Sequence, residues 1–124
     1  MRDAFMSALG LEGEIIRPGH ARVWGVVRPE HLNLHGTAHG GFLYTLADAA
    51  FALASNSHGV RAVAVSTHME YLRPVQVGDP VEAIAEEIHR GNRTALYRVE
   101  VRRGEERVAL FTGWVYRFPA PQSD

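Results

Sequence analysis

The sequence predicts a two-layer α+β fold in which a long antiparallel sheet encloses one apolar helix. Three observations lead to this prediction. Residues 40–56 form a proline-free run rich in Ala and Leu, and its apolar residues lie on nearly every side, as in an enclosed helix. Four alternating runs follow, each of roughly ten residues and so longer than the usual strand of about five or six. Short turns containing Gly separate these runs, which is typical of sequential antiparallel strands.

The first quarter of the chain is predicted to add a short helix and a hairpin. Asp3 to Leu9 has the pattern of a helix, and Gly10 is its C-terminal stop. A short strand is expected at residues 14–16. Residues 17–20 contain Pro and Gly in the order that suits a turn, and the alternating residues 21–28 complete the hairpin.

A loop, the long helix and the four strands complete the predicted order. Residues 29–38 have no steady period and are rich in His, Asn and Gly, which predicts a loop. The helix is expected over Gly40–Asn56, and Gly59 ends it. The four strands are predicted to form one antiparallel meander over Arg61–Leu72, Val81–His89, Arg93–Arg102 and Arg107–Phe118.

The length and composition limit the class of protein. At 124 residues, the chain is expected to form one domain over residues 1–124, because a second core would leave each half marginally small. Within it, the short helix falls in residues 1–11, and residues 119–124 are expected to be a loose tail. The 46% hydrophobic and 22% charged residues are typical of a soluble globular chain. The net charge of −1 and the lack of a basic block argue against nucleic-acid binding.

Residue usage excludes several kinds of chemistry. All 13 basic residues are arginines, so a Schiff-base lysine and a P-loop lysine are excluded. The lack of cysteine excludes disulfides, thiolate zinc sites and thiol nucleophiles. Residues 40–55 are too short for a bilayer span of about 20 residues, and residues 1–11 lack the apolar core of a secretory signal. We therefore expect no membrane partner.

Asp48 is the most informative residue of the sequence. It lies between Leu46, Ala47, Ala49 and Ala50, on a helix expected to be buried. An ionised carboxylate without partners is costly to bury, so an acid at this position is normally paired or functional. The alternative is an acid on the one stripe of the helix that reaches solvent.

His39, Gly40 and Gly41 immediately precede the body of this helix. Two glycines stabilise a helix poorly, but they allow a ligand to approach the backbone closely. The first amides of a helix have no intrahelical partner and carry positive potential, which suits a carbonyl oxygen that becomes an oxyanion. The alternative is that the glycines only turn the chain.

The spacing between these two features has a consequence for assembly. Asp48 lies eight residues beyond Gly40, or roughly 12 Å along a helix with a rise of 1.5 Å per residue. Catalytic groups acting on one carbon must lie within about 3 Å of it. If both residues are catalytic, they come from different subunits, and the sequence predicts a site shared across a two-fold axis.

The loop and the strand ends contain other candidate residues. His31, His35 and His39 are spaced by four, as zinc ligands on a helix would be. A loop without metal is favoured by the helix-breaking residues in and beside this stretch: Pro29, Asn33, Gly36 and Gly40. Asn33 is either a turn residue or a side chain that holds a carbonyl or a water. Four arginines at strand ends or turns could meet phosphates, although solvated surface charge is the simpler interpretation of each: Arg61, Arg73, Arg90 and Arg93.

Several motifs together resemble those of a known family. Residues 33–42 (NLHGTAHGGF) and 46–48 (LAD) are similar to the hotdog-fold acyl-CoA thioesterases, most of all to the phenylacetate-pathway (PaaI-type) branch. Residues 71–74 (YLRP) and the Gly-Asp pair at 78–79 also look like that branch. The resemblance covers residues 14–118 and implies a long curved antiparallel sheet wrapped around a central helix.

The resemblance also implies roles for particular residues. Asp48 matches the family acid that activates water or attacks the thioester directly. Gly40, with Gly41 beside it, matches the backbone donor that polarises the carbonyl, Asn33 matches a polar group at the carbonyl or water, and His39 matches the histidine near the sulfur. The thiolate leaving group needs little acid assistance, so a base and an oxyanion donor suffice and no metal or organic cofactor is expected.

One position departs from the family pattern. Related enzymes often place a serine or threonine near the acid to hold water, whereas Ala52 stands one turn after Asp48. Ser66 or Thr67 could supply that hydroxyl from a strand. The resemblance further implies a cytoplasmic homodimer with shared active sites, pairing again into a homotetramer, that acts on an aryl-acetyl-CoA such as phenylacetyl-CoA or its hydroxylated derivatives.

Two other functions compete with thioester hydrolysis. A hotdog hydratase or dehydratase would need a histidine and a carboxylate at the acyl position, and the helix carries no histidine near Asp48. A non-hydrolytic acyl-CoA-binding protein would be better served by an apolar residue than by a buried acid.

Overall fold

The structure is a computed structural model that describes residues 1–119. Six antiparallel strands form a sheet around one long helix, so the predicted α+β class is confirmed. The helices are α1 (Ala4–Leu9) and α2 (Gly40–Ser55). The strands are β1 (Glu12–Arg17), β2 (His20–Val26), β3 (Arg61–Tyr71), β4 (Pro80–Arg90), β5 (Thr94–Arg103) and β6 (Glu106–Phe118). Of the predicted tail, Pro119 follows β6, and residues 120–124 lie outside the described residues.

The strand order corrects the predicted meander. The sheet runs β1-β2-β4-β5-β6-β3, so β4 to β6 do form a meander, but β3 pairs with β6 at the sheet edge. The link after β3 is not a tight hairpin: Val75 is buried, and its carbonyl accepts a hydrogen bond from the Ala38 N–H. The Asp79 carbonyl likewise accepts from the Val27 N–H. These two hydrogen bonds hold residues 72–79 against the segments before α2. The strand β4 therefore pairs with β2 and not with β3.

The helix α2 fills the concave side of the sheet. Its Phe51 ring packs with its centroid 5.3 Å from that of Phe111 and 5.8 Å from that of Tyr97. A Cβ at Gly113 would lie only 2.7 Å from the Phe51 ring, so glycine is what lets the ring approach β6. Among residues 1–119, neither helix is long and apolar enough to cross a membrane.

Side chains and one glycine fix the helix ends, but α2 ends at Ser55 with Asn56 as its C-cap, and not at the predicted Gly59. The Asp3 side chain accepts from the Met6 N–H at the start of α1, and Gly10 ends the helix with φ of 74°. Asn56 follows α2, and its amide donates to the carbonyls of Ala52 and Ala62 while accepting from the Ala62 N–H. The predicted loop differs from expectation in containing a 3-10 turn at Pro29–His31.

Candidate active site

The first turn of α2 presents a free backbone N–H. His39 is the N-cap, and its Nδ1 accepts a hydrogen bond of 2.9 Å from the Gly41 N–H. The N–H groups of Phe42 and Leu43 bond to the His39 carbonyl. Within residues 1–119, the Gly40 N–H has no acceptor. Of the two glycine amides named by the sequence, the Gly40 amide is thus available to a ligand and the Gly41 amide is engaged.

Both glycines have close side-chain neighbours. A Cβ at Gly40 would lie 3.3 Å from the Tyr71 ring, and a Cβ at Gly41 would lie 3.1 Å from the His39 Nδ1. The Tyr71 hydroxyl donates to the Gly40 carbonyl at 3.1 Å. Burial raises the pKa of Tyr71, with a smaller contribution from Tyr44, so the phenol keeps its proton and stays a donor.

Asp48 lies half-buried on α2, on the same helix face as Gly41 and Thr45. Among the residues that the structure describes, no side chain or backbone group forms a hydrogen bond or ion pair with its carboxylate. Burial raises the pKa of Asp48, and the Asp3 carboxylate adds to this effect. Asp48 is thus a half-buried carboxylate without a partner, on a helix stripe whose Gly41 and Ala52 are exposed, and such a group is a candidate general base.

The helix is continuous from Gly40 to Ser55, so Gly40 and Asp48 stay about 12 Å apart along its axis. The structure of one chain therefore does not bring the two to a common reacting atom. It does bring Asn33 to the Gly40 end, where both line a cleft of about 280 Å³ together with Tyr71 and Arg73.

Comparison with known proteins decides the family. The sequence pattern of the thioesterase superfamily matches residues 35–110. The chain belongs to this superfamily. The thioesterase is 41% identical to the acyl-coenzyme A thioesterase PaaI of Escherichia coli (strain K12) over 116 residues, which are 93% of this chain and 83% of that protein. The predicted resemblance to hotdog-fold enzymes of the PaaI type is therefore confirmed.

Two solved structures are similar to the thioesterase throughout. A variant of the phenylacetic acid degradation protein PaaI from Thermus thermophilus is 59% identical, with a TM-score of 0.91, and the match covers 94% of this chain and 100% of that one. A hypothetical thioesterase from Streptococcus pneumoniae TIGR4, solved with coenzyme A, is 30% identical, with a TM-score of 0.81. That match covers 86% of this chain and 87% of the other.

Asn33 in the thioesterase orders its own loop. Its Oδ1 accepts from the N–H groups of His35 and Thr37, and its Nδ2 donates to the Thr37 Oγ1 at 2.9 Å. One Nδ2 hydrogen remains for a ligand in the shared cleft. The three histidines of the predicted metal alternative have separate environments, since His31 is buried against Phe42 whereas His35 and His39 are exposed.

The four candidate arginines fall into two groups. Arg73 lies near Gly40, with its Nε 3.5 Å from a carboxylate oxygen of Glu106. The other three lie at the opposite end of the sheet, where β3 begins and β6 ends. Each of these three touches a neighbouring ring: Arg61 lies over Phe118, Arg90 contacts His58, and Arg93 donates to the Tyr116 hydroxyl.

Sequence analysis gave no role to Tyr71 or Tyr44, and it left Ser66 and Thr67 as alternatives. The Tyr44 hydroxyl lies 2.7 Å from the Thr67 Oγ1, so Thr67 faces α2. Ser66 points to the other face of the sheet, because successive residues of a strand alternate. The alternation of β3 could have shown from sequence that Ser66 and Thr67 lie on opposite faces of the strand. Which face lies against α2 follows only from contacts in the structure, such as that of Tyr71 with Gly40.

Proposed function

We propose that this thioesterase hydrolyses acyl-coenzyme A to the free acid and coenzyme A, and that it prefers an aryl-acetyl group. The proposal rests on one observation: a free Gly40 N–H and an unpartnered, half-buried Asp48 lie on the same helix of the described chain. The name of the E. coli relative and the coenzyme A bound to the S. pneumoniae protein support the substrate class. The T. thermophilus relative is named for phenylacetic acid degradation, which supports the acyl class.

In the proposed reaction, the Gly40 N–H donates to the thioester carbonyl oxygen. The N-terminal end of α2 then stabilises the negative charge that develops on this oxygen. Asp48 takes a proton from a water molecule, the water oxygen bonds to the carbonyl carbon, and the carbon–sulfur bond breaks to release the thiolate. The raised pKa of Asp48 makes it a stronger base than an ordinary aspartate. Direct attack by Asp48 through an anhydride is the alternative route.

Two more side chains have proposed roles at this site. Because the His39 Nδ1 accepts from Gly41, the proton of the neutral ring is on Nε2, which would donate to the departing sulfur. The Thr67 hydroxyl is the better placed of the two strand candidates to hold the attacking water, since it faces α2 and Ser66 does not.

The proposed site needs two subunits. Within residues 1–119, β3 pairs on one side only, and its edge exposes Val63 and Val65. An unpaired edge of this length is a template for a second copy, and antiparallel pairing of two β3 strands would place the two α2 helices antiparallel. Gly40 of one subunit would then act with the partner subunit's Asp48.

The same symmetry would join the two arginine groups. Arg73 of one subunit would lie near the partner's Arg61, Arg90 and Arg93, because the start of one β3 strand would meet the end of the other. Such a cluster suits the phosphates of coenzyme A. We keep further pairing into a homotetramer, and a cytoplasmic location, as expectations from the resemblance.

The test is a free-thiol release assay with phenylacetyl-CoA, its ring-hydroxylated derivatives and straight-chain acyl-CoAs. We expect thiol release, fastest with the aryl-acetyl substrates. Hydration of an enoyl-CoA without thiol release would show a hydratase instead. Tight acyl-CoA binding without either reaction would show a binding protein, and both results would overturn the proposal.

A further inference from the structure

The start of α2 lies between two clefts of different character. On one side is the cleft of about 280 Å³ that contains Asn33, Tyr71 and Arg73. On the other side, a second cleft of about 410 Å³, the α1 cleft, lies between α1 and α2. Its walls are mainly apolar and aromatic side chains, among them Phe5, Leu9, Leu32 and Phe42.

The helix α1 is fastened to the rest of the chain, yet it exposes a large aromatic ring. Met6 is buried, with 2% of its surface accessible, and the Met1 amine donates to the Gly13 carbonyl at 2.9 Å. Phe5, the preceding residue, is 62% exposed and lies at the cleft. Its ring is one of the walls of the cleft, so a group that enters the cleft would contact it.

The α1 cleft reaches the N-terminal end of α2, where the Gly40 N–H lies. His39, Gly41 and Thr45 line it, and Gly41 and Thr45 share their helix face with Asp48. Asp3, the N-cap of α1, is near enough for its carboxylate to raise the pKa of Asp48. His39 and Gly41 flank Gly40 and line this cleft, so a thioester held at the Gly40 N–H would lie beside its opening.

We infer that α1 forms the outer wall of the acyl pocket and that Phe5 sets the size of acyl group the enzyme accepts. The inference rests on the proposed function, and it specifies the substrate class as acyl groups with an aryl ring or a chain of medium length. An apolar cavity of about 150 Å³ binds benzene, so a cleft of about 410 Å³ holds groups of that size.

The chemistry of the two clefts determines which end of the substrate each receives. Among residues 1–119, no arginine lines the α1 cleft, and its one charged residue, Glu30, would repel phosphate. The His31 ring stacks on Phe42 with centroids 4.0 Å apart and an angle of 15°, and this pair offers apolar, aromatic surface. The cleft with Arg73 suits the polar coenzyme A portion, which leaves the α1 cleft for the acyl group.

The experiment compares kcat/KM for decanoyl-CoA and phenylacetyl-CoA in three variants by thiol release. Phe5→Ala should raise the decanoyl to phenylacetyl ratio about tenfold, because it lengthens the pocket, and Phe5→Trp should lower it. Trp114→Ala is the matched control, since Trp114 is another exposed aromatic residue but lies on the outer face of β6. Its ratio should equal that of the unaltered enzyme.

The outcomes separate this inference from the proposed function. If the unaltered enzyme releases thiol but both Phe5 variants keep its ratio, α1 does not line the acyl pocket and the inference is overturned. If Phe5→Ala dissociates the assembly and leaves the ratio unchanged, the exposed ring belongs to a subunit interface, which also overturns it. If no acyl-CoA is hydrolysed by the unaltered enzyme, the proposed function itself fails.

Discussion

At the scale of single residues, Asp48 combines two properties that rarely occur together. It is a half-buried acid on a helix that supplies much of the core, and its carboxylate has no partner among residues 1–119. We expect Asp48→Asn to fold and to lose about 10²–10⁴-fold in kcat, because the change keeps the shape and removes the base. Thiol release by the purified variant measures this. A kcat within a few-fold of the unaltered enzyme would remove Asp48 from the mechanism.

The same residue should make the fold less stable at neutral pH. Because the folded-state pKa of Asp48 is raised above its ordinary value of 3.8, the native chain holds this proton more tightly than the unfolded chain does. The Asp48 contribution to stability therefore falls as pH rises from about 4 through the raised pKa. Asp48→Asn should therefore raise the Tm at pH 7.

Thermal unfolding of both proteins between pH 4 and pH 7 tests this expectation. The advantage of Asp48→Asn should shrink toward pH 4, because the raised pKa makes Asp48 take up its proton at a higher pH in the native chain than in the unfolded chain. Equal Tm values throughout the range would show that assembly provides the carboxylate with a partner. A gain in stability that accompanies the loss of activity is the usual trade at a functional site.

Residue-level predictions from sequence were strongest where the signal was local. An acid in an apolar run and glycines before a helix can be recognised from neighbouring residues alone, and both Asp48 and Gly40 are candidate site residues on that ground. The engagement of the Gly41 amide depends on the orientation of the His39 ring. The Tyr71 hydroxyl reaches Gly40 across 31 positions of sequence, so no local pattern reveals that contact.

At the scale of elements, Asn56 joins the end of α2 to the start of β3. Its side chain forms hydrogen bonds with backbone groups of Ala52 and Ala62. We expect Asn56→Ala to lower the free energy of unfolding by about 1–3 kcal/mol, because it leaves the Ala62 N–H and carbonyl without their side-chain partners, while the Ala52 carbonyl keeps the backbone N–H of residue 56. Denaturant unfolding measures the loss. Asn92→Ala is the control, since the Asn92 side chain forms no hydrogen bond among the described residues, and an equal loss there would contradict the assignment.

Element boundaries were predictable from sequence because caps are local, but pairing was not. The start of α2 at Gly40 and the end of α1 before Gly10 follow from single residues with known preferences. The partner of β3 depends on the link over residues 72–79, whose buried Val75 is fastened to the segment before α2. The alternation of apolar and polar residues in β3 predicts a strand, but it does not predict which neighbouring strand pairs with it.

At the scale of the whole molecule, the chain divides its functional groups between two ends. The free amide of Gly40 and the cation of Arg73 lie at one end of α2 and β3, and the other three candidate arginines lie at the opposite end. In the proposed function, a single chain contains two incomplete halves of a site. A two-fold axis beside β3 would complete two sites at once, which is the arrangement that the helix spacing predicts.

Subunit complementation tests this arrangement. One chain carries Asp48→Asn and the other carries Gly40→Pro, which lacks the N–H donor. Proline suits this position, because it is the first residue of α2 and because His39 before it is extended, with ψ of 138°. Gly40→Ala is the matched control: it adds a Cβ near the Tyr71 ring, as proline does, but it keeps the N–H.

Each mutant homodimer should be inactive, while Gly40→Ala should retain most activity. A mixed dimer would contain one site with both defects and one site with neither. Coexpressed chains, separated by two affinity tags, should therefore recover about half the activity of the unaltered dimer per mixed dimer, by counting intact sites. Mixed dimers that form and fold but stay inactive would show that Gly40 and Asp48 do not share a reaction. Gly40→Ala as inactive as Gly40→Pro would instead assign the loss to contact with Tyr71.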